Sequence, residues 1–294
     1  MAKATQPYPR IQDESNKLLG FLDTAELNEH KRKISERVLK RIIAKAIDEA
    51  SRKSSRSLLN LADTDDLTMQ QAKFQKVGHD LFGYFKKYYG DPASTAHDCH
   101  NQHYRDIARE QFRNNTIQKE RMNSGWRYQF IAKDAANRTG RVISVSDIGT
   151  AEADFNATVG YKNKAGQLNI YVSVKNRGNT LGGQDWPNSI QALEEVASRD
   201  RNRSGPYICV FGIAMDRGQR TVKKDAKRKV PYSVNTEIWY SDFFWPFFSN
   251  IEYEEIIKAV LDVLIEHGRN TTFDTDIPAD VLEGLVKSAV NMDC

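Results

Sequence analysis

Two segments in the middle of the chain alternate apolar and polar residues strictly enough to limit what they can form. In 151–161 the odd positions are apolar, and in 168–175 the even positions are apolar. Successive side chains of a β-strand point to opposite faces. The pattern therefore predicts two strands joined through 162–167 in a hairpin, each burying one face and exposing the other.

The polar face of this hairpin brings a carboxylate and a lysine to the same end. If Tyr161 pairs with Leu168, Asp154 lies directly across from Lys175. A slip of two residues keeps both groups on one face, whereas a slip of one separates them. The plain interpretation is a cross-strand ion pair worth about 0.2–1 kcal/mol. The alternative is a site where the carboxylate holds a divalent metal beside the lysine.

The remaining hydrophobic pattern places the hairpin in an α/β protein. Up to about residue 135 the pattern predicts helices, at 31–50, 73–89 and 117–136. Beyond it, strands are predicted at 141–148, 207–215 and 234–240, and helices at 187–199, 251–266 and 278–291. The near-continuous hydrophobicity of 207–215 predicts burial on both faces. We expect a mixed central sheet flanked by helices, with a helical N-terminal region 1–135 and a core 136–294 forming one compact unit.

Composition excludes several classes of protein. The 294 residues contain no apolar run near the roughly 20 residues that a membrane helix needs, and the N-terminus lacks the apolar segment of a secretory signal. Three widely spaced cysteines without a C-x-x-C pair argue against a disulfide framework and against zinc, including at the His and Cys residues of 97–103. We expect a cytoplasmic protein. The aromatic run 243–248 is interpreted as core or subunit interface.

The predicted helix 187–199 contributes acidic residues near the hairpin. Its apolar arc consists of Ile190, Leu193, Val196 and Ala197. Glu194 borders this arc, while Glu195 points the other way. Glu194 is therefore either an ordinary boundary residue or a carboxylate that reaches over the sheet toward Lys175. Asp154 and Glu194 together would satisfy Mg²⁺, which binds one or two carboxylates with water and phosphate.

These residues resemble the signature of the PD-(D/E)XK nucleases, especially the type II restriction endonucleases. The match spans about 117–215 and consists of Ala153-Asp154 on one strand and Ser173-Val174-Lys175 on the next. Alanine replaces the proline before the aspartate, and serine replaces the acid two residues before the lysine. Enzymes of the family with serine there take the second carboxylate from the following helix, where Glu194 is the candidate here and Glu195 the fallback.

The resemblance implies a restriction-endonuclease-like fold and a Mg²⁺-dependent, sequence-specific hydrolysis of double-stranded DNA. Asp154 and Glu194 would hold Mg²⁺, Lys175 would orient the attacking water, and the product would carry a 5′-phosphate. A homodimer is expected because a palindromic site is matched by a two-fold protein, with a tetramer left open. The rivals are a structure-specific repair nuclease and a non-catalytic DNA-binding module on a degenerate nuclease fold.

Polar and basic residues after the lysine are candidates for DNA contacts. The loop 176–185 offers side chains that hydrogen-bond to base edges, and the basic run 217–229 offers cations for phosphates. Basic residues also cluster in 31–57, although such runs are often only solvated faces. The predicted DNA-binding residues are Asn176, Arg177, Asn179, Gln184, Arg217, Arg220, Lys223 and Lys224.

Overall fold

The computed structural model describes residues 21–58, 61–70, 72–74, 76–77, 125–148, 150–180 and 185–269. The chain divides into two compact units, one formed by Met1–Lys45 with Tyr128–Cys294 and the other by Ala46–Arg127. The predicted helix 278–291 and most of 73–89 lie outside the described residues. So do 117–124, the start of the predicted helix 117–136, and the His and Cys residues of 97–103.

A six-stranded mixed sheet forms the centre of the first unit. The strands are β1 (Val142–Asp147), β2 (Phe155–Gly160), β3 (Gln167–Lys175), β4 (Tyr207–Ile213), β5 (Arg220–Thr221) and β6 (Thr236–Trp239). Their spatial order is β1-β2-β3-β4-β6-β5. Strands β1, β2 and β3 are antiparallel neighbours, β3, β4 and β6 are parallel, and β5 is antiparallel to β6.

The other long elements of the described residues are helices. They are α1 (Glu36–Leu58), α2 (Gly125–Thr139), α3 (Trp186–Arg199), α4 (Ser241–Ser249) and α5 (Tyr253–Arg269). Helix α3 makes the crossover between the parallel strands β3 and β4, and Pro187 occupies its first turn, where a missing amide hydrogen costs nothing. The boundary predicted near residue 135 falls inside α2. The α/β class with a mixed sheet and flanking helices is confirmed.

The two faces of the sheet are covered by different helices. On one face Trp186 of α3 packs edge-on against Phe211 of β4, with ring centres 5.2 Å apart. On the other, Phe248 of α4 packs against Phe155 of β2 at 5.6 Å. Every residue of β4 is buried, as predicted from its continuous hydrophobicity. The aromatic run 243–248 belongs to α4, whose buried side chains place the run in the core.

The polar face of the β2–β3 hairpin is buried, which contradicts the prediction that it is exposed. All six residues of β2 are buried, as are seven of the nine in β3. The buried polar groups form hydrogen bonds that offset part of their desolvation. Asn169 Oδ1 accepts from Thr158 Oγ1 at 3.3 Å and from Asn156 Nδ2 at 3.5 Å, and its Nδ2 donates to the Ser204 carbonyl at 2.8 Å.

The segment before α1 returns to the sheet and is attached at both sides. Leu27 forms an antiparallel bridge with Tyr161, directly after β2. The Leu22 amide donates to the Glu237 carboxylate of β6 at 2.6 Å. Glu237 is completely buried and also accepts from the Trp239 indole at 2.7 Å. Arg220 of β5 lies 3.8 Å from the same carboxylate and donates to the Leu22 carbonyl at 2.6 Å.

The described part of the second unit contains an ion pair and a cation–π contact. Lys73 pairs with Asp65 at 2.7 Å, and the Lys53 ammonium lies 4.3 Å from the centre of the Trp126 ring. The Asp65 pKa is lowered, mainly by its hydrogen bond with Lys73. The pair is largely covered, with 30% of the Lys73 side chain and 6% of the Asp65 side chain exposed.

A half-buried histidine makes stability depend on pH. His30 Nε2 donates to the Pro246 carbonyl at 2.8 Å and lies 3.3 Å from the Arg141 guanidinium. Burial and then the Arg141 charge lower the His30 pKa below 6.5, and the bond to Pro246 only partly opposes them. The folded state thus binds fewer protons than the unfolded state, so this contribution is present above about pH 6.5 and lost as the pH falls through the lowered pKa.

Substitution of His30 by glutamine isolates this effect. Glutamine keeps a donor for the Pro246 carbonyl but does not titrate. Urea unfolding of the unaltered protein and of His30→Gln is compared at several values between pH 7.5 and pH 5. As the pH falls, we expect the free energy of unfolding of the unaltered protein to decrease toward that of the variant. A difference that stays constant or grows on acidification would contradict the assignment.

Candidate active site

Asp154 immediately precedes the first residue of β2, and its side chain takes part in the hydrogen bonding between β2 and β3. Its amide donates to the Val172 carbonyl at 2.8 Å. Its carboxylate oxygen Oδ2 accepts from the Val174 amide at 2.6 Å. A strand carbonyl would ordinarily accept from that amide. The carboxylate therefore takes the place of a backbone acceptor and is held one residue from Lys175.

Lys175 ends β3 at the same edge of the sheet. It pairs with Ile213 of β4, and its carbonyl accepts from the Ala214 amide at 2.9 Å. The backbone is thus fixed while the side chain remains half-buried. Within the described part of the chain, no group forms a hydrogen bond or ion pair with the Lys175 ammonium. Its three donors are available to a ligand.

The hairpin register differs by two residues from the one predicted. Leu168 pairs with Val159, because Tyr161 leaves the hairpin to bridge Leu27 instead. Continued by one residue, this register puts Asp154 opposite Ser173 and diagonal to Lys175. Both residues still lie at one end, as expected for a slip of two. Ser173 itself is buried, so its hydroxyl does not substitute for an acidic ligand at the surface.

The structure does not bring Glu194 to this end of the sheet. Glu194 Oε1 accepts from Thr236 Oγ1 at 2.5 Å and from the Ser233 hydroxyl. Thr236 pairs with Cys209, which pairs with Tyr171, four residues before Lys175. Four residues of strand span about 13 Å. Hydroxyls of the β6 region thus engage the Glu194 carboxylate, and its pairing with Asp154 at one metal ion stays a prediction.

Glu195, the fallback, lies on a groove between α3 and the β1–β2 part of the sheet. The groove has a cavity volume of about 770 Å³ and is also lined by Asp147, Glu152 and Asn156. Glu195 pairs there with Arg199 at 3.0 Å and accepts from Gln191 at 3.1 Å. Its charge is already balanced within its own helix, so it is not a ready second ligand.

The chemistry at the Asp154 end fits one magnesium ion held by one carboxylate. No three His, Cys, Asp or Glu side chains are grouped to hold a metal within the described ranges. Mg²⁺ does not need such a group, since it keeps several waters and often binds one or two carboxylates together with substrate phosphate. Asp154 supplies a carboxylate next to a cation that can meet a phosphate. The donor set predicts weak binding of the ion without substrate.

The loop after Lys175 is attached to the end of β4. The Met215 amide donates to the Asn176 carbonyl at 3.0 Å, and the Gly178 amide donates to Asp216 Oδ2 at 2.7 Å. Arg177 and Asn179 are exposed beside the lysine, whereas Gln184 lies outside the described residues. Sequence reasoning missed Asp216. Its position just past a buried parallel strand was the available signal, because ligand sites form at such strand ends.

Two of the basic residues predicted to contact DNA have internal partners instead. Arg217 Nε pairs with Asp242 at 2.7 Å and its guanidinium also pairs with Glu254. Arg220 is engaged with Leu22 and Glu237. A phosphate contact at either residue would have to replace these interactions, so DNA binding by Arg217 and Arg220 stays a prediction. Lys223 lies 5.1 Å from the Trp186 ring centre, and Lys224 is exposed.

Comparisons of the chain with family models, curated proteins and solved structures found no significant match. None of the helices in the described ranges is long and apolar enough to cross a bilayer. The functional argument therefore depends on the geometry at the ends of β2 and β3.

Proposed function

We propose that the chain is a Mg²⁺-dependent endonuclease that hydrolyses phosphodiester bonds of double-stranded DNA at the Asp154–Lys175 end of the sheet. One observation carries the proposal. The Asp154 carboxylate is held by the Val174 amide at 2.6 Å, and the next residue is a half-buried lysine without a described polar partner. If the pair were only a structural ion pair, the lysine would contact the carboxylate. An ammonium left unpaired beside a fixed carboxylate suits a phosphate ligand better.

The two side chains have separate tasks in this reaction. Lys175 donates hydrogen bonds to a nonbridging phosphate oxygen and to the attacking water, offsetting the charge that develops on phosphorus. The water oxygen bonds to phosphorus as the bond to the 3′ oxygen breaks. The water gives up a proton to solvent and the 3′ oxygen takes one from solvent, so a 5′-phosphate and a 3′-hydroxyl are left. Asp154 would hold the Mg²⁺ ion, which would supply further charge stabilisation and lower the pKa of bound water.

Sequence-specific cleavage, as in a type II restriction endonuclease, is the finer form of the proposal. Arg177 and Asn179 are exposed on the loop next to the lysine, and arginine and asparagine make the commonest bidentate contacts with guanine and adenine. The bonds from the loop to Asp216 and Met215 reduce the entropy lost when it binds. A homodimer acting on a palindromic site would place two such loops on one duplex.

A non-catalytic DNA-binding module is the second candidate. Glu194 is occupied by Thr236 and Ser233, which leaves Asp154 without the second carboxylate that the sequence predicted. A protein that binds DNA phosphates through Lys175 but does not bind a metal ion would have a lysine beside a single carboxylate, as here. A repair nuclease that follows DNA structure is the third candidate, and it shares the same chemical groups.

Incubation of the purified protein with a long phage DNA, in Mg²⁺ and in EDTA, tests these candidates. We expect discrete bands that require Mg²⁺ and carry 5′-phosphate ends. A smear that depends on nicks or branches would indicate a structure-specific nuclease. Intact DNA over a range of Mg²⁺ concentrations, together with retained DNA binding, would favour the module.

Glu194→Gln provides a matched control in the same assay. Because this carboxylate faces β6, we expect the variant to retain cleavage within a few-fold, even if its melting temperature falls. Complete loss of cleavage in a folded Glu194→Gln protein would reinstate Glu194 as a metal ligand.

A further inference from the structure

The residues between β5 and β6 form a folded hairpin, 223–234, which we call the basic arm. Lys224 and Pro231 form an antiparallel bridge, and the Tyr232 amide donates to the Lys223 carbonyl at 3.0 Å. At the tip the Asp225 amide donates to the Val230 carbonyl at 2.8 Å. These backbone bonds give the arm a defined conformation, so its side chains have fixed positions relative to one another.

The charge of the arm is strongly positive and directed outward. It has five cations, Lys223, Lys224, Lys227, Arg228 and Lys229, against the single carboxylate of Asp225. That carboxylate is used to build the turn, accepting from the amides of Lys227 at 2.8 Å and Arg228 at 2.6 Å. The last four cations are exposed and have no ion pair in the described residues. This differs from Arg217 and Arg220, whose charges are matched internally.

Apolar side chains are exposed next to these cations. The exposed fractions are 53% for Val230, 37% for Tyr232 and 40% for Val234. A loop that only solvates the protein would not need three such residues together. A nucleic-acid backbone alternates phosphates with sugar rings. The cations of the arm can contact the phosphates, and its aromatic and aliphatic side chains can pack against the sugars.

The base of the arm is attached to the same face of the sheet as Lys175. Lys223 lies over the Trp186 ring, and the Ser233 hydroxyl donates to Glu194, both on α3. Trp186 packs on Phe211, which pairs with Ser173, two residues before Lys175. Ser173, Lys175 and Phe211 all point to the α3 face, because alternate residues share a face. The arm thus begins on the sheet face that carries Lys175, and it ends near Glu194, farther along the same face.

We propose that the basic arm binds the sugar-phosphate backbone of duplex DNA next to the Asp154–Lys175 site. The inference rests on the proposed function for the identity of its ligand. Lys224, Lys227, Arg228 and Lys229 neutralise phosphates, and Tyr232 and Val230 pack against the sugars between them. These contacts fix the position of the duplex without reading its sequence, which leaves base recognition to the loop after Lys175.

Fluorescence anisotropy with a labelled duplex of about 30 base pairs, in EDTA, measures this binding without cleavage. The variant carries Lys224→Gln, Lys227→Gln, Arg228→Gln and Lys229→Gln. Each lost phosphate contact lowers the slope of log K against log salt by about 0.9. We expect a slope reduced by about 2–4 and affinity weaker by about tenfold or more at moderate salt. Tyr232→Ala should weaken binding without changing the slope.

A matched control removes four exposed cations elsewhere, at Lys31, Arg32, Arg37 and Arg41, again by glutamine. Its charge change equals that of the arm variant, so an equal loss of affinity would show that only net charge matters and would overturn the proposal. Unchanged binding by the arm variant would overturn it too. So would arm-dependent binding to phosphatidylserine vesicles without binding to the duplex.

Failure of the arm and failure of the nuclease are separate results. Lys175→Ala removes one phosphate contact and leaves the arm intact, so in EDTA it should lower the slope of log K against log salt by about 0.9, less than the arm variant does. If the protein never cleaves DNA but shows arm-dependent, salt-sensitive binding, the arm proposal stands and the nuclease proposal falls. If instead the protein cleaves DNA and the arm variant binds the duplex normally, the nuclease proposal stands and the arm proposal falls.

Discussion

Replacement of Lys175 by alanine is expected to reduce Mg²⁺-dependent DNA cleavage by about 10²–10⁴-fold, the range for loss of one charge-stabilising or proton-handling group. The ammonium is the cation of the site that lacks a described protein partner, so its removal leaves the developing phosphate charge uncompensated. The fold should tolerate the change, because a half-buried side chain without polar partners leaves no orphaned group. Single-turnover cleavage and thermal unfolding measure the two effects separately.

Asp154→Asn is the paired test, because it separates the structural role of the carboxylate from its chemical role. The asparagine oxygen can still accept from the Val174 amide, so the end of β2 should be retained and the melting temperature nearly unchanged. The lost negative charge should nevertheless remove cleavage, since an amide is a poor magnesium ligand. If Asp154→Asn cleaves DNA at a normal rate, or Lys175→Ala does, the proposed site is wrong.

Replacement of Glu237 by alanine is expected to destabilise the protein by about 3–5 kcal/mol, as for a broken buried ion pair. The carboxylate is 0% exposed and serves the Leu22 amide, the Trp239 indole and the Arg220 guanidinium. Its loss leaves two donors without this acceptor and removes the negative charge that faces the Arg220 guanidinium. It also removes the attachment of the N-terminal segment to β6. Urea unfolding with alanine and with glutamine measures the cost.

The glutamine variant controls for shape in this second prediction. Glu237→Gln retains one oxygen acceptor and nearly the same volume, so we expect a smaller loss than for alanine. Arg220→Ala should lower stability as well, while its effect on the salt dependence of DNA binding should be small. A large change in that salt dependence would instead support the earlier expectation that Arg220 contacts phosphates.

The sequence predicted the elements of the sheet well, because periodicity is a local property. Alternation identified β2 and β3, continuous hydrophobicity identified β4, and Pro187 marked the start of α3. The register was wrong because Tyr161 pairs with Leu27, more than a hundred residues away. The polar face of the hairpin is buried for a similar reason. Asn156, Thr158 and Asn169 form hydrogen bonds that no alternation pattern reveals.

The candidate site was predictable only where it depends on strands. Asp154 and Lys175 come together because two antiparallel strands share an end, which the pattern already implied. The surroundings of Glu194 could be predicted only by knowing which strand its side of α3 faces. In the structure that side chain accepts hydrogen bonds from hydroxyls in and near β6. Within the basic run 217–229, Arg217 and Arg220 form ion pairs with other parts of the chain, whereas the later cations belong to the basic arm. The partner of Glu194 and the partners of the basic residues both depend on long-range packing. The periodicity of a helix and the number of charges in a segment carry no information about such packing.

The two border strands of the sheet, as formed by the described residues, are poorly suited to joining another strand. β1 carries a register irregularity between Val142 and Ser144, and β5 at the opposite border is only two residues long. Irregular and very short border strands offer few aligned amides and carbonyls to a neighbour. Pairing of border strands between two copies of the chain, which would form one continuous sheet, is therefore unfavourable. A dimer suited to a palindrome would then associate through helices or loops, which leaves the ends of β2 and β3 open to DNA.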